Sequence, residues 1–168
     1  MSGSTCHVCG ATASSLGLAD PATGLRLAGW WRRFGATFSD NVILILPTYL
    51  AFIVFGSLSV LLGILGSVAV QGLYLVRLLA SARGQTVGNR IALTRVRDLT
   101  TGQRITTNQS VKRWAFVALY QTVFVFVGGQ YTLYLLVFAS LVDDLVPLID
   151  AHRQTLHDRF AGTIVVMS

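Results

Sequence analysis

The stretch from Asn41 to Leu79, NVILILPTYLAFIVFGSLSVLLGILGSVAVQGLYLVRLL, decides the fold: it holds no Lys and no Glu, and Arg77 is its one cation. A membrane helix needs about 20 apolar residues, so this run is too long for one crossing and long enough for two. The run from Trp114 to Ile149 has the same property, and its only charges are Asp143 and Asp144. Composition agrees, since 53% of residues are hydrophobic and 12% charged. Water-soluble domains carry about twice that share of charge. The 168 residues fit one domain.

Net charge is +6, which in isolation would suit a nucleic-acid binder. The placement of the charge argues otherwise. Of 13 basic residues, three (Arg26, Arg32, Arg33) precede the first run, eight lie from Arg77 to Arg113, and two (Arg153, Arg159) follow the second run. Every basic residue thus flanks an apolar run or, like Arg77, lies at the end of one, and the positive-inside rule puts all three segments in the cytoplasm. Each run must then cross an even number of times. The basic surface faces anionic headgroups, and no nucleic-acid partner is expected.

The expected fold class is therefore an all-α integral membrane protein, a four-span transmembrane helical bundle with N and C termini cytoplasmic, inserted in the cell (cytoplasmic) membrane. The spans are placed at about 35–57, 63–82, 112–128 and 131–149, joined by a cytoplasmic loop over 83–111. The third apolar stretch is short, so three spans plus a re-entrant helix is the alternative. The first turn is expected among Gly56, Ser57, Ser59, Gly63 and Gly66. Within the loop, Ile91, Leu93 and Val96 lie among polar residues before the turn signal Thr101-Gly102, a pattern that fits a small β-hairpin. Residues 1–26 read as a flexible tail without a signal-type apolar core.

Acids inside the apolar runs are the candidates for chemistry, because an ionised carboxylate at the bilayer centre costs at least about 2.5–3.5 kcal/mol and must find a partner. Asp40 follows Arg33 by seven residues, two helical turns, so the two share a helix face with backbones about 10 Å apart. The first span leaves the cytoplasm and the fourth returns to it, which brings Asp40 level with Asp143 and Asp144. One reading of this cluster is a cation or proton site in which Thr37, Asn41, Gln71 and Gln121 add oxygen ligands. The other is a structural Arg33–Asp40 ion pair, with Asp143 and Asp144 simply near the headgroups.

Other motifs carry less. Cys6-His7-Val8-Cys9-Gly10 has the shape of one zinc knuckle, but a structural zinc takes four ligands and these are the only cysteines, so no metal is expected. Gly84-Gln85-Thr86-Val87-Gly88-Asn89 lacks the Lys-Ser/Thr ending of a phosphate-binding loop and reads as a turn leaving the membrane. No arrangement of nucleophile and base is legible, so neither an enzyme nor a cofactor is expected.

The residues resemble the RDD family of bacterial membrane proteins, named for one arginine and two aspartates. Ala28-Gly29-Trp30-Trp31-Arg32-Arg33-Phe34 with Ala36 and Asp40 looks like that family's opening helix. Gly84 to Asn89, Val96 to Gly102 and Arg113 resemble its central loop, and Asp150 to Thr163 is similar to its terminal signature. By position Arg33 and Asp40 match the named arginine and first aspartate. The second aspartate falls on Asp158, with Asp143 or Asp144 as the competitor. Relatives often carry a complete zinc ribbon, and this chain departs from them in keeping one Cys pair. The resemblance implies a transport-related role, with sodium/proton antiport suggested for some members. The expected partners are the lipid bilayer, sodium ions or protons, and further copies of the chain, because four spans leave little room for an aqueous path in a monomer. The alternative is a non-transporting membrane scaffold or assembly protein that binds a partner or anionic lipid, and a third reading gives the His157-Asp158 pair an enzymatic or assembly role.

Overall fold

A computed structural model describes residues 19–168. The Cys6–Cys9 motif and most of the expected flexible tail lie outside the described residues. Of that tail, residues 20–25 form a tight turn in which the Asp20 carboxylate accepts from the Thr23 amide and hydroxyl, each at 2.8 Å.

Three helices are long and apolar enough to cross a membrane: Trp30–Gly56 (α1), Val60–Leu79 (α2) and the Gly129–Leu148 segment, whose α-helical part is Thr132–Leu145 (α5). Few of their residues are buried inside the protein. Ile45, Leu46 and Val54 on α1 are each more than 60% exposed, as are Tyr134 and Phe138 on α5. Such surfaces need lipid around them, and a helix satisfies its own backbone there. Between α2 and α5 run a short helix Val87–Ile91 (α3), a strand Thr94–Asp98 (β1) and the 21-residue helix Thr107–Val127 (α4). After α5 come the short helix Leu156–Ala161 (α6) and a strand Thr163–Met167 (β2).

Local chemistry sets these boundaries. The first turn occupies Ser57–Ser59, and the Ser59 hydroxyl caps α2 by accepting from the Leu62 amide at 3.2 Å. α4 starts on a reciprocal capping box between Thr106 and Gln109. Its polar first turns, with Lys112 and Arg113, precede the apolar part. α4 crosses α2 closely at Gly72, where an added Cβ would lie 2.6 Å from the Trp114 ring.

The expected hairpin needs correction. β1 and its turn exist, but the partner of β1 is β2, antiparallel from Thr94↔Met167 to Asp98↔Thr163. Only a single bridge, Arg97↔Arg104, closes the local turn. Leu27 bridges to Val166 on the far side of β2. Val96, Val165, Ala28, Leu79 and Ile105 form a buried cluster where the sheet meets α2. The start of α1, the end of α2 and the segment leading into α4 meet at this sheet, and the end of α5 joins them through bonds to α6 and Trp30, so the described basic residues all belong to one end of the bundle.

Candidate functional site

Asp158 sits at the centre of a buried ionic network. Thr155 caps α6, its hydroxyl accepting from the Asp158 amide at 3.2 Å, and this fixes Asp158 in the first turn. The Asp158 side chain is fully buried. One carboxylate oxygen accepts from Arg33 at 3.0 Å, and the other accepts from Arg113 and from the Thr163 hydroxyl. Arg33 also donates to the carbonyls of Ala28 at 3.3 Å and Val165 at 3.1 Å. One side chain thereby ties α1 to α6 and β2.

Asp143 makes the second node. It accepts from the Leu156 amide at 2.7 Å and from His157 Nδ1 at 2.5 Å. The other imidazole nitrogen lies 3.2 Å from an Arg113 guanidinium nitrogen. A guanidinium only donates, so Nε2 must accept and the proton sits on Nδ1; this tautomer is assigned from the network. Burial and the Arg113 charge pull the His157 pKa below its ordinary value, against the opposing pull of Asp143.

Asp40 makes the third node, and it does not pair with Arg33. Its carboxylate accepts from the Tyr74 hydroxyl at 2.6 Å, the Thr86 hydroxyl at 2.5 Å and the Gly88 amide at 2.8 Å. The two residues share the inner face of α1, as their spacing requires, but Arg33 reaches toward α6 while Asp40 reaches toward α2 and α3. The Gly84–Asn89 motif therefore docks a carboxylate. Gly88 is demanded by this docking, because a Cβ there would stand 2.1 Å from the Ala36 carbonyl oxygen.

A cavity of about 170 Å³ lies among these nodes, lined by Arg33, Asp40, Arg113, Asp143, Asp144, His157 and Asp158 together with Thr37, Asn41, Gln71 and Gln121. Four carboxylates thus face two guanidinium groups around one space. Asp144 has no hydrogen bond to its carboxylate from any described residue, although its backbone carbonyl accepts from the Trp30 indole at 2.6 Å. Gln71 Oε1 and Trp114 Nε1 are buried without a partner among the described residues. Among those residues no set of three His, Cys, Asp or Glu is arranged to hold a metal ion.

The RDD family model matches residues 27–162, nearly the whole of this architecture. The chain belongs to the RDD family. RDD proteins are membrane proteins, in agreement with the three long apolar helices. No curated protein and no solved structure matches the chain. In this RDD chain Arg33 meets Asp158 directly, whereas Asp143 joins the same network only through His157 and Arg113.

The cavity brings together all five residues singled out from the sequence: Arg33, Asp40, Asp143, Asp144 and Asp158. The sequence did not single out Tyr74, Thr86 or Arg113 as site residues, although Thr86 and Arg113 stood in the stretches that resemble the family's central loop. Arg113 carried a usable signal, since a cation that follows Lys112 and immediately precedes an apolar run must be paired or exposed. Tyr74 carried none, because a tyrosine inside an apolar helix equally suits the lipid interface.

Proposed function

We propose that this RDD protein conducts a small cation or proton across the cell membrane through the carboxylate-rich cavity. In this reading α4 completes a four-span bundle, both termini are cytoplasmic because the basic end must face inward, and the working unit is an oligomer. The observation that carries it is the excess of carboxylate over guanidinium around one cavity, together with Asp144, whose carboxylate has no donor among the described residues. In a low-dielectric layer such an excess attracts a proton or an oxygen-preferring cation.

The test is flux in proteoliposomes under an imposed pH or sodium gradient, comparing the parent with Asp144→Asn. Transport predicts sodium-coupled proton movement that the substitution abolishes while the protein remains folded. Equal flux in both removes Asp144 from the mechanism, and absent flux in the parent removes sodium/proton transport.

One observation favours the scaffold reading. Asp40, Asp143 and Asp158 are each bonded to protein donors, which is what a rigid lock requires. The melting temperature against sodium, lithium and potassium separates the two, because an ion bound only by the native state must raise it. A scaffold shows no ion dependence and co-purifies with a partner.

A further inference from the structure

The polar cavity opens sideways. α1 packs on α2 and α3, and α5 packs on α4, whereas α1 and α5 face each other across a second cavity of about 270 Å³. Its outer wall is apolar, with Phe34, Phe38 and Val137; Phe38 is 61% exposed and Val137 51% exposed, on surface that lipid must cover. Its inner wall is shared with the polar cavity and consists of Thr37, Asn41, Ser140 and Asp144. The cleft therefore leads from apolar residues on the bilayer side to the Asp144 carboxylate, which receives no bond from a described residue.

We propose that this cleft is a lateral port, through which a single-chain amphiphile with a protonated amine head passes from the bilayer to the cavity. The inference deepens the transport reading and rests on it for the cavity's preference for cations. The ammonium head sits on Asp144 and the alkyl chain lies between α1 and α5. Charge complementarity selects this occupant. A hydrated inorganic ion has no use for apolar walls, an uncharged lipid tail leaves Asp144 unpaired in a low-dielectric layer, and an anion is repelled. A second copy would have to seat the apolar face of a membrane helix there, which also leaves the carboxylate without a cation. Trp30 stacks on Phe34 at 5.4 Å beside the port and is fixed by its bond to the Asp144 carbonyl, which places an indole next to the proposed site. The two cavities together reach the lower part of the roughly 300–1,000 Å³ range of ligand sites.

The test uses the full chain in nanodiscs of zwitterionic lipid and follows tryptophan fluorescence during titration with terminally brominated undecylammonium, with the matching bromoalcohol as control. Saturable quenching by the amine and only gradual, non-saturating quenching by the alcohol are expected. Asp144→Asn should weaken the amine by about tenfold, the scale on which a charge-assisted contact is lost. Thr37→Phe narrows the neck between the cavities and should remove saturable quenching while leaving the carboxylate in place. Identical curves for amine and alcohol, an unchanged Kd in Asp144→Asn, or a dimer closed across α1 and α5 that shuts out the amine would each overturn the port. Sodium and proton flux measured on the same preparation keeps the two ideas separate. Flux without amine binding sinks only the port, and saturable amine binding without flux sinks only sodium/proton transport.

Discussion

Arg33 and Asp158 stand 125 positions apart in the chain and meet at 3.0 Å in a buried contact that ties the first membrane helix to the last short one. Asp158 also receives Arg113, so one carboxylate offsets two guanidinium groups.

That sharing ranks the substitutions. Asp158→Asn leaves both arginines buried without their counter-charge, while Arg33→Gln leaves Asp158 still held by Arg113. Breaking a buried pair costs about 3–5 kcal/mol. Asp158→Asn is therefore expected to lower the apparent Tm in mild detergent more than Arg33→Gln does, and the double variant should lose less than the sum of the two. The reverse order, measured by thermal unfolding, would show that Arg113 and not Asp158 is the hub.

Gly88 offers a test of the Asp40 dock. A methyl group there meets the Ala36 carbonyl at 2.1 Å and the Asp40 carboxyl carbon at 2.8 Å, so α3 must back away from α1. Gly88→Ala is expected to cost about 1–3 kcal/mol as an overpacking change, and more if the Asp40 bonds are lost with it. Gly29→Ala is the control, because a Cβ there meets nothing within 4 Å. Equal Tm values for the two variants would mean that the dock bears no weight.

The three long apolar helices were legible because hydropathy is a local property. The sheet was not legible. β2 is an unbroken apolar run, Ile164 to Met167 after Thr163, whose first four residues are buried and which shows no alternation to betray a strand. Its partner β1 lies far back in the chain, and no local pattern encodes such a pairing. The same limit applied to the site. A spacing of seven put Arg33 and Asp40 on one face, but the direction in which each side chain reaches is set by α2, α3 and α6. The zinc-knuckle motif lies outside the described residues and gains nothing from the structure.

His157 gives the chain a defined pH response. The groups facing it are Arg113 from α4, Asp143 from α5, its neighbour Asp158, and Arg33 from α1 at longer range. Its pKa is lowered in the native state, so the native protein binds fewer protons than the unfolded chain, where histidine titrates near about 6.5. The stability this neutral imidazole confers is fully present above that value and is lost as pH falls from there through the lower native pKa, with a slope of at most about 1.4 kcal/mol per pH unit. Tm should decline as pH is brought below about 6.5. His157→Asn keeps a donor for Asp143 and should flatten that decline; a decline of the same size in both proteins would assign it to another group.

Asp40 and Asp144 line the same cavity, and their surroundings predict opposite stability effects. Three neutral donors converge on Asp40, and replacing one carboxylate oxygen by an amide nitrogen sets a donor against the Thr86 hydroxyl or the fixed Gly88 amide. A lost buried hydrogen-bond partner costs about 1–3 kcal/mol, so Asp40→Asn should lower Tm by several degrees. Asp144 receives no side-chain bond from a described residue, and Asp144→Asn removes an uncompensated charge from a membrane helix, which should leave Tm unchanged or raise it. A site kept for function at a cost in stability behaves in this second way, and a structural lock behaves in the first. Thermal unfolding of the two single variants, run beside flux measurements, decides which carboxylate is which. If Asp144→Asn proves the more damaging to stability, then Asp144 is a packing element and the cavity's negative charge has been placed on the wrong residue.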